Sequence, residues 1–200
     1  GYQAMKLNST GYNNVAVGFA SLYNNTTALQ NSALGYYSLL VNTTGSANTA
    51  LGYGTLAQNT TGASNTAVGD NSMGLTTTGP NNVAVGRYSL DANTTGGGNV
   101  AIGYNALSTN TTASANTAVG QASLILNTTG TNVCAFGNDS GYQNTTGSGN
   151  TFIGRASGLL NTTGSYNCFV GQSTAAGTAS GYYMTTGSKN TILGAYSGNQ

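Results

Sequence analysis

The chain has 200 residues, of which Asn (27), Thr (32), Ser (19) and Gly (31) supply 109, while Leu, Ile, Val and Phe number only 34. That apolar content is too low for an ordinary packed core, yet the net charge of +1 lacks the repulsion that usually accompanies disorder. Four basic residues (Lys6, Arg87, Arg155, Lys189) and three acidic ones (Asp70, Asp91, Asp139) offer no basic footprint for nucleic acid and no acidic cage for calcium. The absence of His, Glu and Trp removes the usual general acids, bases and zinc ligands, so the composition points away from an enzyme and from any cofactor or metal.

No apolar run approaches the ~20 residues of a membrane helix, so membrane insertion of this segment is not expected. The chain begins without Met and stops part way through a pattern, which reads as an excerpt of a longer protein made of one continuous repeat segment, 1–200.

From the N-terminus onward, a Gly follows an apolar residue at Gly18, Gly35, Gly52, Gly69, Gly86, Gly103, Gly120, Gly137, Gly154 and Gly171, always 17 residues apart. Gly194 comes 23 residues later, and the six extra residues are expected to form a loop within 172–179. Disordered low-complexity sequence has no reason to hold such a register, so the segment is ordered and quasi-one-dimensional. The consensus unit is N-T-A-V-G-x-x-S-L-x-x-N-T-T-G-x-x. Seventeen residues are too few for a helical hairpin, and Thr, Val, Gly and Asn oppose helix. The period predicts an all-β parallel solenoid with one coil per repeat.

Within each strand, alternate residues face opposite sides. The residue before each Gly is large and apolar, from Val17 to Leu193. The residue before that is small: Ala16, Ala33, Ala50, Ala67, Ala84, Ala101, Ala118 and Ala135, changing to Phe152, Phe169 and Ile192. The large row is expected to meet the Leu four after each Gly (Leu22, Leu39, Leu56, Met73, Leu90, Leu107, Leu124) in a thin core. The small row is then the candidate chain–chain interface, where a second layer comes close. From about Thr151 onward the exchange of Ala for Phe, together with loss of Leu at Gly141 and Gly158, predicts a change in inter-chain spacing.

Several conspicuous residues are assigned structural rather than chemical roles. Stacked Asn and Thr are expected to form hydrogen-bonded ladders between coils, which also explains the sequons from Asn8 to Asn161 better than N-glycans spaced by one rung of roughly 4.8 Å. Cys134 and Cys168 occupy equivalent positions two coils apart, beyond disulfide reach, and read as buried free thiols. Tyr36, Tyr37, Tyr53, Tyr88 and Tyr104 follow the repeat Gly and are candidate surface aromatics, either stacking between coils or meeting a sugar or protein partner. The two Thr of N-T-T are adjacent and should face opposite ways, which argues against an ice-binding array of paired outward Thr.

The segments Asn14 to Leu22, Asn65 to Met73 and Asn82 to Leu90 resemble the N-S-x-A-I-G-x-x-S repeats of trimeric autotransporter adhesin heads, and the longer form with N-T-T-G resembles repeats of bacterial and phage tail-fibre-like proteins. The resemblance implies a left-handed β-roll assembled as a homotrimeric fibre, although the 17-residue coil is longer than those of the adhesin heads. It further implies an extracellular, structural role at a cell surface or on a virion, with identical chains as partners and a host-surface glycan or protein as a further ligand. Ice binding or carbohydrate binding by the solenoid is the alternative.

Overall fold

The computed structural model describes residues 1–172 and 179–195. Eleven three-residue strands lie in chain order in one parallel sheet: β1 (Val15–Val17), β2 (Ser32–Leu34), β3 (Thr49–Leu51), β4 (Thr66–Val68), β5 (Val83–Val85), β6 (Val100–Ile102), β7 (Thr117–Val119), β8 (Cys134–Phe136), β9 (Thr151–Ile153), β10 (Cys168–Val170) and β11 (Thr191–Leu193). The register follows the period, with Val68 paired to Val85 and Val85 to Ile102. Across the longer final step, Phe169 pairs with Ile192, so the stack continues past the six additional residues. The expected loop at 172–179 falls largely on residues 173–178, outside the described residues. The chain is therefore a β-solenoid, with no helix among its described residues.

The backbone between strands is turns and bends stacked on those of the next coil. Leu39 N–H donates to the Thr55 carbonyl at 3.0 Å and Leu56 N–H to the Ser72 carbonyl at 3.1 Å. This arrangement requires left-handed backbone, and non-glycine residues adopt it in every complete coil. The Leu row sits at φ of 51–54°, an uncommon conformation for a bulky side chain, with a cost of roughly 1–2 kcal/mol per residue. Each of these side chains is fully buried, and burying a Leu contributes about 1.5–3 kcal/mol, enough to hold the strained turn. Another left-handed position recurs just before the first Asn of each repeat, a row in which Val133 once stands in for Asn: Gln30, Ala47, Ser64, Asn81, Gly98, Ala115, Asn132, Gly149, Tyr166 and Lys189 all lie at φ of 57–68°, and all but Gly149 are exposed.

Two Asn ladders run through the interior. In one, Asn31 accepts the Asn48 N–H on its Oδ1 at 2.9 Å and donates its amide to the Gly45 carbonyl at 3.0 Å, a pattern repeated from coil to coil. In the other, Asn59 Nδ2 donates to Asn42 Oδ1 at 2.7 Å and to the Gly62 carbonyl at 3.0 Å. Beside it the first Thr of N-T-T donates its hydroxyl to the next coil's backbone, as Thr43 does to the Thr60 carbonyl at 3.0 Å. A buried Ser row ties turn to strand, with Ser38 donating to the Ala50 carbonyl at 3.1 Å. Asn and Ser side chains thus satisfy backbone groups that short strands leave unpaired inside the roll.

The core reverses the expected assignment of faces. Ala33, Ala50, Ala67, Ala84, Ala101, Ala118 and Ala135 are buried against the Leu row in the chain's own interior, as are Phe152 and Phe169, while Ala16 and Ile192 pack on that cluster from its ends. The small row therefore does not face a neighbouring chain. Each strand has only three residues, so its middle side chain alone points inward. The turn opposite supplies a Leu that crosses the narrow roll and leaves space for little more than a methyl group. The bulky residue before each Gly consequently points outward.

The C-terminal change is likewise internal. Where Phe152 replaces Ala, the residues flanking it across the roll are Gly141 and Gly158, and a Cβ added at Gly141 would stand 2.6 Å from the Phe152 ring. Gly181 clears Phe169 in the same manner. Ala-plus-Leu has been exchanged for Phe-plus-Gly, which conserves interior volume. The two rings lie 5.7 Å apart in the chain's own core, not on the inter-chain face from which a change in spacing was expected.

Candidate functional site

The outer face of the sheet carries two columns, because the first and third residue of every strand point away from the core. The first column is Val15, Ser32, Thr49, Thr66, Val83, Val100, Thr117, Cys134, Thr151, Cys168 and Thr191. The second is the large apolar row. Val17 is 51% exposed, Leu34 48%, Leu51 42%, Ile102 39% and Phe136 41%, with Val68, Val119 and Val170 half-buried. A column of apolar side chains, aliphatic except for Phe136, along eleven paired strands is a continuous stripe rather than scattered exposure. The signal was present in the sequence as the same residues, assigned there to the opposite side.

Cys134 and Cys168 are unbonded and half-buried on the first outer column, not enclosed in the core. They remain two strands apart with Thr151 between them. Partial burial pushes the Cys134 thiol above its ordinary value, which makes it a weaker nucleophile at neutral pH.

The aromatic residues concentrate in the first coils. Tyr2, Phe19, Tyr36 and Tyr53 stack in a ladder with ring centroids 5.7, 5.1 and 5.5 Å apart and planes within 22° of parallel. Tyr37 stands outside that ladder, tilted 50° to Tyr36 at 4.0 Å. Farther along the same row come Asp70 and Arg87, joined at 3.0 Å across one coil, with the guanidinium 4.6 Å from the Tyr88 ring centre. Tyr104 is exposed. Of the five candidate surface aromatics, the structure brings Tyr36, Tyr37 and Tyr53 together and leaves Tyr88 and Tyr104 apart from them.

The sequon Asn residues from Asn25 to Asn161 are fully buried in the second ladder, so their amides are committed to structure. Of each N-T-T pair, the first Thr is hydrogen-bonded to the next coil and the second is exposed, as their adjacency predicts. The regular outward Thr lies elsewhere: in T-A-V units such as Thr66–Val68 and Thr117–Val119, Thr and Val share the outer sheet face.

These features define a parallel β-solenoid repeat protein whose distinguishing surfaces are an apolar sheet face and an N-terminal aromatic cluster. No protein-family model, curated protein or solved structure matches the chain.

Proposed function

We propose that the chain is a non-enzymatic structural segment of an extracellular fibre, an adhesin, tail fibre or surface filament, in which identical solenoids associate along their outer sheet faces. The observation that carries this reading is the apolar column from Val17 to Leu193, set on a sheet in which β2 to β10 are each paired on both sides. Lateral burial of that column would add apolar contact at every coil. Three chains around a common axis is the arrangement implied by the adhesin-head resemblance, and the function is then reach and multivalent presentation. Absence of His and Glu from the sequence supports a structural rather than catalytic role.

Sedimentation equilibrium tests the reading. The wild-type chain is expected to be a trimer at micromolar concentration, and Val85→Asp with Ile102→Asp to give monomers with an unchanged far-ultraviolet circular dichroism spectrum. A monomeric wild type, or a variant that still assembles, overturns it. The T-A-V face supports a second reading, a regular surface that orders water or ice. A monomeric wild type showing thermal hysteresis would favour that one.

A further inference from the structure

In a solenoid, the rows that repeat from coil to coil build the fold, and departures from the repeat that do not serve packing mark something local. The strongest such departure lies in the first coils. A cleft of about 300 Å³ opens there, lined by Gln3, Phe19, Ala20, Tyr23, Tyr37 and Leu40. All of these lie in one chain and none is a strand residue, so the cleft is built without the two strand columns of the outer sheet face. It is at the small end of ligand clefts, with room for about one or two rings.

The chemistry of the lining is specific. Phe19, Tyr23 and Tyr37 supply aromatic walls, Tyr37 tilted 55° to Phe19 at 5.8 Å, so that its ring bounds the cleft instead of prolonging the stacked ladder. Gln3 supplies an amide. Lys6 reaches over the Tyr23 ring at 5.6 Å, and it is the only charged side chain before Asp70. An uncompensated cation beside aromatic faces and an amide matches a ring with an apolar C–H face, hydroxyls at its edge and a negative charge. We infer that this cleft binds a carboxylated pyranose unit of a glycan, with the ring against Tyr37 and its carboxylate toward Lys6.

The inference is independent of lateral association, since it needs one chain only. If the chains do assemble, each contributes one cleft at the same end of the fibre, and weak single-site binding gains by multivalency.

Tetragalacturonate serves as the probe, titrated calorimetrically into the purified chain, with cellotetraose as its neutral counterpart and tetra-aspartate as a peptide of equal charge. Tetragalacturonate is expected to bind and the other two to bind at least tenfold more weakly. Tyr37→Ala should weaken binding by roughly tenfold. It should fold normally, because the equivalent left-handed position holds Ala in other coils, at Ala20, Ala122 and Ala156. Lys6→Gln, or half-molar salt, should cost roughly threefold, and Tyr104→Ala should change nothing. No binding of tetragalacturonate, or binding indifferent to Tyr37→Ala, overturns the site. Equal binding of cellotetraose or of tetra-aspartate overturns the ligand class.

Discussion

Core residues in this solenoid are chosen in facing pairs. Leu at a left-handed turn works only opposite Ala, and Phe on the strand works only between glycines. Ala84→Phe alone should overpack the coil and lower stability by about 1–3 kcal/mol. Adding Leu90→Gly, which repeats the exchange of Ala-plus-Leu for Phe-plus-Gly made at Phe152 and Gly158, should recover much of that loss. Urea midpoints of the single and double variants decide it, and equal midpoints would show that the pairing is not energetic. A large side chain at Ala84 therefore acts on folding of the chain, where the sequence alone suggested an effect on assembly.

Residue chemistry also sets the response to acid. Burial pushes the Asp91 and Asp139 carboxyls above their ordinary value, opposed at Asp91 by the Gly74 backbone and at Asp139 by Arg155. The folded chain then holds those protons more tightly than the unfolded chain. The resulting stabilisation is complete below the ordinary carboxylate range and is lost as pH rises through the raised values. With no His to charge, the urea midpoint should be higher at about pH 3 than at pH 7. The exposed Asp70–Arg87 pair contributes little against this, and a midpoint that falls on acidification would contradict the assignment.

The ladders behave as elements, and their interruptions are informative. At Thr76 the second Asn ladder is broken, leaving Asn59 Oδ1 and Thr76 Oγ1 buried without a partner. Thr76→Asn should supply a donor to Asn59 and to the Gly79 carbonyl and raise stability by about 1 kcal/mol, read as an upward shift in melting temperature. Asn110→Ala, which breaks an intact stretch between Asn93 and Asn127, should lower it by about 1–3 kcal/mol. The strands, their parallel register and the existence of Asn ladders were all legible in the 17-residue period, because stacking forces equivalent residues to meet. Which way the strand faced was not. Alternation gives two faces without saying which is inside, and the usual inference that bulk goes inward fails when a three-residue strand confronts a Leu held across a narrow roll. The aromatic cleft was only partly legible: of its lining only Tyr37 stood out in sequence, whereas Gln3, Phe19 and Tyr23 join it, and Lys6 comes over Tyr23, through coil stacking.

At the scale of the whole molecule, each strand pairs only with its predecessor and successor, so stability is a sum of coils and their interfaces rather than of one central core. Removing a complete period, residues 99–115, should preserve the fold, since Gly98 would then join Asn116 in register. Removing eight residues from the same stretch should not, because every row beyond would lose its partner. Circular dichroism and the cooperativity of unfolding distinguish these outcomes, and equal disruption by both deletions would refute a coil-by-coil architecture.

The left-handed position occupied by Gln30, Ala47, Ser64, Asn81, Tyr166 and Lys189 has a consequence for how such a chain can diversify. One exposed side chain per coil, at a fixed rise of roughly 4.8 Å, tolerates residues as different as Gly, Ala, Tyr and Lys. The molecule is in this respect a ruler with blank graduations. A new charge, ring or hydroxyl can be inscribed at a chosen height along the shaft by a single substitution, and two such marks are placed at a known separation by counting coils, while the interior that keeps the ruler straight is left untouched.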